Sequence, residues 1–301
     1  MTDKKTGLNN EQPQNVLRVV FPQWQACGVD YAEEFTENLN PQSVRHGYEV
    51  GAPLLNTIFP STDQDTIIVP VVDYDSPVEQ GIESRAAVLE NLQTATRLVR
   101  EKDPDRIVTF GGDCSTSIPA ITHLAAKYED DLAIVWLDSH PDCSTPGGIY
   151  QGYHDMSLAH ITGHGDQSFL AELPATVSTD KVVLAGTHSW NADEGENFRN
   201  WGITHLPPDA LRNSPDPLLE WLRSTGCTKV ALHVDVDSVD ANQFHLGMGA
   251  EPDGLTKNEV QAAIDAVSGQ EDLEMVSFSM GEFIPRQVLA IQELMRDVPL
   301  L

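Results

Sequence analysis

The chain has 301 residues and carries 46 acidic against 18 basic side chains, a formal net charge of −28 at pH 7. This length can bury a substantial core in one or two α/β domains. An acidic surface repels nucleic acid and anionic membranes, and no apolar run approaches the roughly 18 residues of a membrane span. We therefore expect neither nucleic acid nor a membrane as a partner.

The start of the chain and its cysteines predict the compartment. The N-terminus lacks the apolar segment of a secretory signal, and the four cysteines form neither a CxxC pattern nor a dense framework. Both features predict reduced thiols and a cytoplasmic location. Residues 1–14 are polar and aperiodic, so we expect a flexible tail followed by a single α/β domain over residues 15–301.

Apolar, β-branched runs alternate with segments of helical spacing along the chain. The predicted strands cover residues 16–21, 66–72, 105–110, 132–137, 181–186, 230–234 and 274–280. The predicted helices cover residues 83–101, 117–127, 209–224, 256–267 and 285–296. Residues 27–60 give no clear pattern and are expected to wrap the first sheet edge. The alternation predicts a three-layer α-β-α fold with a mostly parallel central sheet.

The strand at residues 132–137 runs into Asp138, His140 and Asp142, at positions i, i+2 and i+4. If the strand geometry persists, these three side chains point to one side. Two carboxylates and an imidazole suit a hard or borderline divalent cation, at the edge where α/β proteins bind ligands. The alternative is a polar loop in which Asp138 caps a helix.

A second acidic strand end strengthens the metal hypothesis. The strand at residues 230–234 leads into Asp235 and Asp237, which again share a face. Carboxylates at short range repel each other and raise each other's pKa, and a cation removes that cost. One metal ion is satisfied by about four to six ligands, and five candidates are present before any water. A bridged two-metal site is therefore plausible.

Three motifs carry a family resemblance. Residues 138–142 resemble the Asp-x-His-x-Asp motif of the arginase/agmatinase (ureohydrolase) superfamily, and residues 233–240 resemble its Ser-x-Asp-x-Asp-x-x-Asp motif. Residues 111–115 resemble its Gly-Gly-Asp-His-Ser motif, with cysteine at the histidine position. The motifs occur in the family's order with similar spacing, and the resemblance covers roughly residues 65 to 300.

The resemblance implies a dinuclear manganese centre and a chemistry. Asp138 and Asp235 would bridge two ions, Asp142 would bind the first, and His140 and Asp237 would bind the second. A hydroxide shared by the ions would attack the carbon of a guanidinium group and release an amine and urea or a urea analogue. The expected function is metal-dependent hydrolysis of linear amidines. The expected partner is a small guanidino or amidino substrate, and the expected assembly a homo-oligomer, a trimer or hexamer.

Two further residues match catalytic positions of the family, and with Asp142 they form the expected catalytic set. Glu282, in a Glu-x-x-Pro context, can pair in a fork with a guanidinium and orient it. His154, in the loop after the first metal motif, can pass a proton to the leaving amine. The alternatives are a helix cap or surface charge for Glu282 and an exposed loop histidine for His154.

Cys114 stands where the family has a histidine that ligates the first metal. A thiolate is softer than imidazole and shifts preference from manganese towards zinc, iron, cobalt or nickel. Cys114 can ligate and complete a dinuclear site. It can instead leave a mononuclear site of Asp138, His140 and Asp237, similar to the related deacetylase branch, or catalysis can be lost altogether. His233, where the family usually has serine, is a candidate to support a ligand.

Substrate recognition departs from the arginase pattern. Arginases recognise the amino-acid end of arginine through an asparagine whose position here is Ser144. Ser144, His154 and Glu282 form the expected substrate-binding set, and we expect a guanidino or amidino compound other than arginine. An aromatic or less polar tail can be received by tyrosines or tryptophan near the site, which can equally be packing residues: Tyr150, Tyr153 and Trp190.

Overall fold

A computed structural model gives the fold. The residues that it describes are 15–29, 31–32, 40–61, 63–296 and 298. The predicted N-terminal tail, residues 1–14, lies outside the described residues.

In the described part of the chain, the strands form one sheet of eight in which every pairing is parallel, in the order β2-β1-β3-β8-β7-β4-β5-β6. The strands are β1 (Val16–Phe21), β2 (Asp65–Ile68), β3 (Arg106–Gly111), β4 (Leu132–Leu137), β5 (Val182–Ala185), β6 (Thr204–Leu206), β7 (Lys229–Asp235) and β8 (Glu274–Gly281). This topology confirms the predicted parallel α/β sheet.

Helices cover both faces of the sheet. The described helices are α1 (Pro41–Arg45), α2 (Gly47–Ile58), α3 (Arg85–Lys102), α4 (Ile118–Tyr128), α5 (Ser157–Ile161), α6 (Gln167–Leu170), α7 (Ala192–Asn200), α8 (Pro208–Leu211), α9 (Asp216–Thr225), α10 (Lys257–Ser268) and α11 (Val288–Leu294). Within the described residues, none of these helices has the length and apolarity to cross a membrane.

The three layers follow from strand alternation. Along β4, Ala133, Val135 and Leu137 enter one buried cluster, whereas Ile134 and Trp136 enter the other. Helices α9, α10 and α11 cover the first cluster, and α3, α4 and α5 cover the second. Because successive side chains of a strand point to opposite faces, a strand buried on both faces is apolar throughout. The continuous apolar run of β4 is therefore the sequence signature of this central position.

Several predicted boundaries were wrong. Strand β2 ends at Ile68 rather than at residue 72. The helix predicted over residues 209–224 is divided into α8 and α9. Pro215 lies between them, and proline removes a helical N–H and disfavours helix at the residue before it. The closing helix spans Val288–Leu294 and is shorter than predicted.

Other elements went unpredicted. Residues 27–60 contain α1 and α2, and α2 includes Gly51 and Pro53, which are weak helix formers.

The capping box at Thr256 is confirmed, with Glu259 accepting from the Thr256 N–H at 2.7 Å. A second capping box, Asn191 with Glu194, starts the unpredicted helix α7.

Candidate metal centre and active site

The sheet brings the predicted ligands to one edge. Strand β4 pairs with β7, with Trp136 opposite His233, so Asp138 and Asp235 follow from neighbouring strands. Strand β7 pairs with β8, with Asp235 opposite Gly281 and Glu282 next along the chain. All these residues lie at the carboxyl end of the central strands, the usual ligand position of a parallel sheet.

The first motif reaches the centre through a turn and not through an extended strand. The expectation that strand geometry persists from Asp138 to Asp142 was wrong, because β4 ends at Leu137. The Asp138 carboxylate accepts from the His140 N–H at 2.7 Å and from the Trp136 indole at 3.0 Å. Asp142 adopts a left-handed backbone with φ of 47°. Such strained backbone occurs preferentially at functional sites.

Asp138, His140 and Asp237 form one possible cation cage. Each offers one ligand atom, and these atoms lie within 4.8 Å of one another. The His140 Nδ1 lies 3.1 Å from Asp237 Oδ2, and the Ser139 hydroxyl donates to Asp237 at 2.6 Å. Burial alone would raise the pKa of Asp237, but the charge of His140 and the hydrogen bonds from His140 and Ser139 lower it to about 2.

Cys114 lies inside the centre. Its Sγ is 3.0 Å from Asp235 Oδ2, and its N–H donates to Glu282 Oε1 at 3.1 Å. Burial, followed by the Asp235 carboxylate, raises the pKa of the thiol. The preceding turn needs glycine, because a Cβ on Gly112 would lie 1.8 Å from the Gln23 carbonyl oxygen.

The centre holds more carboxylates than cationic side chains. Burial, followed by neighbouring carboxylates, raises the pKa of Asp138, Asp142 and Asp235. Asp142 Oδ2 is buried with no hydrogen-bond partner among the described residues. Buried oxygens are nearly always satisfied, and a divalent cation would both satisfy this atom and remove the repulsion. The donor set therefore fits divalent metal.

Glu282, His154 and Tyr150 form a hydrogen-bonded chain beside the centre. The His154 Nδ1 lies 3.1 Å from Glu282 Oε1, and its Nε2 lies 2.9 Å from the Tyr150 hydroxyl. Burial alone would lower the pKa of His154, but the Glu282 carboxylate outweighs it and raises that pKa. Glu282 also has a left-handed backbone, with φ of 66°. Sequence reasoning named Tyr150 only as a possible tail contact and missed its bond to His154.

A cavity of about 380 Å³ opens onto these groups. Its lining includes six predicted site residues: His140, Asp142, His154, Asp235, Asp237 and Glu282. Tyr150 and Trp190 also line it, whereas Tyr153 is buried against Phe169 with ring centroids 4.6 Å apart.

Ser144 lies behind the cavity wall. It is fully buried, and its hydroxyl donates to Asp155, which does line the cavity. Any influence of Ser144 on substrate would pass through Asp155. Glu194, the other unpredicted acidic residue of the lining, is signalled in the sequence only by its capping-box spacing from Asn191.

Fold and site together define a class, a parallel α/β protein with a buried carboxylate, imidazole and thiol centre at the carboxyl edge of its sheet. The arginase family model matches residues 37–290, and the chain belongs to that family. It is 25% identical over 260 residues to the arginase of Entamoeba histolytica, covering 81% of this chain and 83% of that protein.

Solved structures share the fold. The E. histolytica arginase in complex with L-ornithine superposes with a TM-score of 0.73 at 17% identity, over 93% of this chain and 96% of the other. The native arginase of Bacillus caldovelox gives 0.72 at 20% identity, over 94% and 99%. At these identities the likeness establishes the architecture alone.

Proposed function

We propose that this protein hydrolyses a linear C–N bond of a guanidino or amidino compound with two divalent metal ions. The observation that carries the proposal is the meeting of Asp138 and Asp235 at one buried point, each within 3.9 Å of Cys114 Sγ. Carboxylates brought this close in a buried site are stable when cations lie between them. Membership of the arginase family supports the same chemistry.

Asp138 and Asp235 would bridge the two ions in this proposal. Cys114 and Asp142 would complete the first site, and His140 and Asp237 would complete the second. The unpartnered, buried Asp142 Oδ2 supports this assignment. Manganese is the expected ion, and the Cys114 thiol also admits zinc, iron, cobalt or nickel. Such ions, when bound, lower the pKa of a shared water so that hydroxide is available near neutral pH.

Glu282 and His154 would handle the substrate. The Glu282 carboxylate can accept two N–H groups of a guanidinium and fix its carbon over the metal ligands. The reaction adds water across one C–N bond, and the leaving nitrogen departs as a neutral amine once it receives a proton. His154 can donate that proton, since Glu282 favours its charged form and Tyr150 holds its other ring nitrogen.

The cavity favours a substrate without a free carboxylate. Beyond the proposed metal ligands its lining includes Asp155 and Glu194, and no lysine or arginine occurs among the described lining residues. A carboxylate end would therefore meet like charge, because the two imidazoles of the lining, His140 and His154, are already paired with Asp237 and Glu282. Tyr150 and Trp190 offer aromatic faces to a neutral or cationic tail. This composition supports a guanidino substrate ending in an amine or an uncharged group.

A substrate screen tests the proposal. The purified protein is loaded separately with manganese, zinc, nickel or cobalt and incubated with guanidino and amidino compounds ending in carboxylate, amide or amine. Release of urea or ammonia, fastest for the amine and amide compounds, is the expected result. Asp235→Ala should abolish the metal-dependent turnover, and the exposed Asp209→Ala is the matched control. Full activity in Asp235→Ala would contradict a bridging role.

One observation favours a second candidate function. The cage of Asp138, His140 and Asp237 does not need Cys114. It would support a mononuclear, deacetylase-like amide hydrolase. One equivalent of zinc with release of acetate from acetylated amines would favour this function over the first. Absence of metal after metal-replete purification would favour a catalytically silent arginase-like protein.

We further propose a cytoplasmic homo-oligomer, a trimer or a hexamer. Four buried free cysteines support a reducing compartment, and the assembly rests on the family resemblance. Light scattering coupled to gel filtration should give three or six times the chain mass, and a monomer would contradict the assembly.

A further inference from the structure

His233 lies at the back of the centre in a fully buried position. Its ring stacks on Trp136 with centroids 3.7 Å apart and an interplanar angle of 20°. The Nδ1 atom lies 2.8 Å from the Ser117 hydroxyl and 3.1 Å from the Ser279 hydroxyl. The Nε2 atom is buried and has no hydrogen-bond partner among the residues that the structure describes.

An unpartnered ring nitrogen in such a place needs an explanation. Leaving a buried polar atom unsatisfied is costly, and proteins rarely tolerate it. Because each serine hydroxyl near Nδ1 can accept a hydrogen bond, the site accommodates the tautomer in which Nδ1 carries the proton. That tautomer leaves a bare lone pair on Nε2, which is the form of imidazole that binds a metal ion.

The neighbours of His233 supply the rest of a metal site. One ring nitrogen of His233, the Cys114 thiol and an Asp138 oxygen lie within 4.8 Å of one another. Since Nδ1 is engaged by Ser117 and Ser279, Nε2 is the nitrogen left for a ligand. Cys114 Sγ is 3.9 Å from Asp138 Oδ2, and the Trp136 indole fixes that oxygen at 3.0 Å.

We propose that His233 Nε2 ligates the first metal ion together with Cys114 Sγ and a carboxylate oxygen of Asp138. The centre then has two unlike halves that share Asp138. One half offers sulfur, nitrogen and oxygen and prefers zinc or cobalt, whereas the Asp138, His140 and Asp237 half is richer in oxygen and accepts manganese. This inference rests on the proposed metal centre and goes beyond it in ligand set and metal selection.

The test uses the full chain with one equivalent of zinc. X-ray absorption should place one sulfur at about 2.3 Å from zinc together with imidazole nitrogen at about 2.0–2.1 Å. His233→Asn should weaken zinc binding by more than about 100-fold, beyond the roughly tenfold to 100-fold loss typical of residues that only support a ligand. Chelator competition measures this affinity. His160→Asn is the matched control, a buried histidine with both ring nitrogens hydrogen-bonded away from the centre.

Metal selection gives a readout that does not need activity. With zinc and manganese offered together, the wild-type protein should retain about one equivalent of each, and His233→Asn should lose the zinc preference. If His233→Asn fails to fold, the wild-type chain with cadmium-113 and ¹⁵N-histidine should show scalar coupling between cadmium and Nε2 of His233. Absence of that coupling would overturn the proposal.

The outcomes separate this inference from the proposed function. Zinc bound through sulfur with unchanged affinity in His233→Asn would overturn the histidine ligand and leave the metal centre standing. No binding of any divalent ion by the wild-type protein would overturn both.

Discussion

Gly51→Ala tests how the fold holds Glu282. Gly51 lies in helix α2, and a Cβ at this position would be 1.8 Å from the Phe283 carbonyl oxygen. Real Cβ atoms essentially never come closer than 3.0 Å, so helix and loop must separate by about 1.2 Å, the difference between these distances. Phe283 directly follows Glu282, so the shift would displace the carboxylate proposed to orient the substrate.

Two opposing terms set the expected size of the effect. Overpacking a close contact costs about 1–3 kcal/mol, whereas alanine is favoured over glycine in a helix by about 0.8–1.0 kcal/mol. We expect the free energy of unfolding to fall by up to about 2 kcal/mol. A displacement of about 1 Å at a positioning residue costs about 100-fold in turnover, so kcat/KM should fall by that order.

Urea unfolding measures the free energy of unfolding without any substrate. Steady-state kinetics with the guanidino compound from the screen measures kcat/KM. Gly47→Ala is the control from the same helix, since its Cβ would meet only the Ile284 side chain, at 3.0 Å. A shift of a few tenths of an ångström relieves that contact, so we expect a much smaller loss of stability and turnover than in Gly51→Ala. If Gly51→Ala keeps both the stability and the turnover of the wild-type protein, the close approach does not position Glu282.

Three further predictions concern the pH dependence of stability, the helix cap at Thr256 and stabilisation by bound metal. Burial lowers the pKa of His160 to about 4, so its contribution to the free energy of unfolding is fully present above pH 6.5 and is lost as the pH falls towards 4. The difference between pKa values of 6.5 and about 4 corresponds to a loss of about 3 kcal/mol. Its physical origin is that protonation would turn Nε2, which accepts from the Asp166 N–H, into a donor. Urea unfolding at pH 7 and pH 5 should show that the free energy of unfolding depends less on pH in His160→Gln than in the wild-type protein, and an equal dependence would refute this. Thr256→Ala should lower the free energy of unfolding by about 1 kcal/mol through loss of the capping box, measured by the same method, with no change in metal affinity. Zinc or manganese at 100 times its dissociation constant should stabilise the protein by about 2.7 kcal/mol, and a thermal midpoint that a chelator leaves unchanged would count against a metal centre.

The sequence alone determined the local features of this protein. Apolar runs followed by acidic residues predicted the ends of β4 and β7, because a buried parallel strand is apolar on both faces and ligands gather at its carboxyl end. The same local chemistry located the capping box at Thr256. Helix α2 was not predicted from the sequence because its glycines and proline have low helix propensity. In the structure, contacts with the rest of the fold override that propensity.

Only the tertiary structure decided which groups meet. Strand order placed β7 between β4 and β8, and so brought Asp138 and Asp235 together. Packing then placed the Tyr150 hydroxyl on His154 and enclosed His233 between Trp136 and two serines, although these contacts join residues far apart in sequence. Side-chain periodicity is a property of a few neighbouring residues, whereas such contacts depend on the register and packing of whole elements. For that reason the sequence indicated candidate ligands at the end of each strand separately, and only the fold showed which of them lie together.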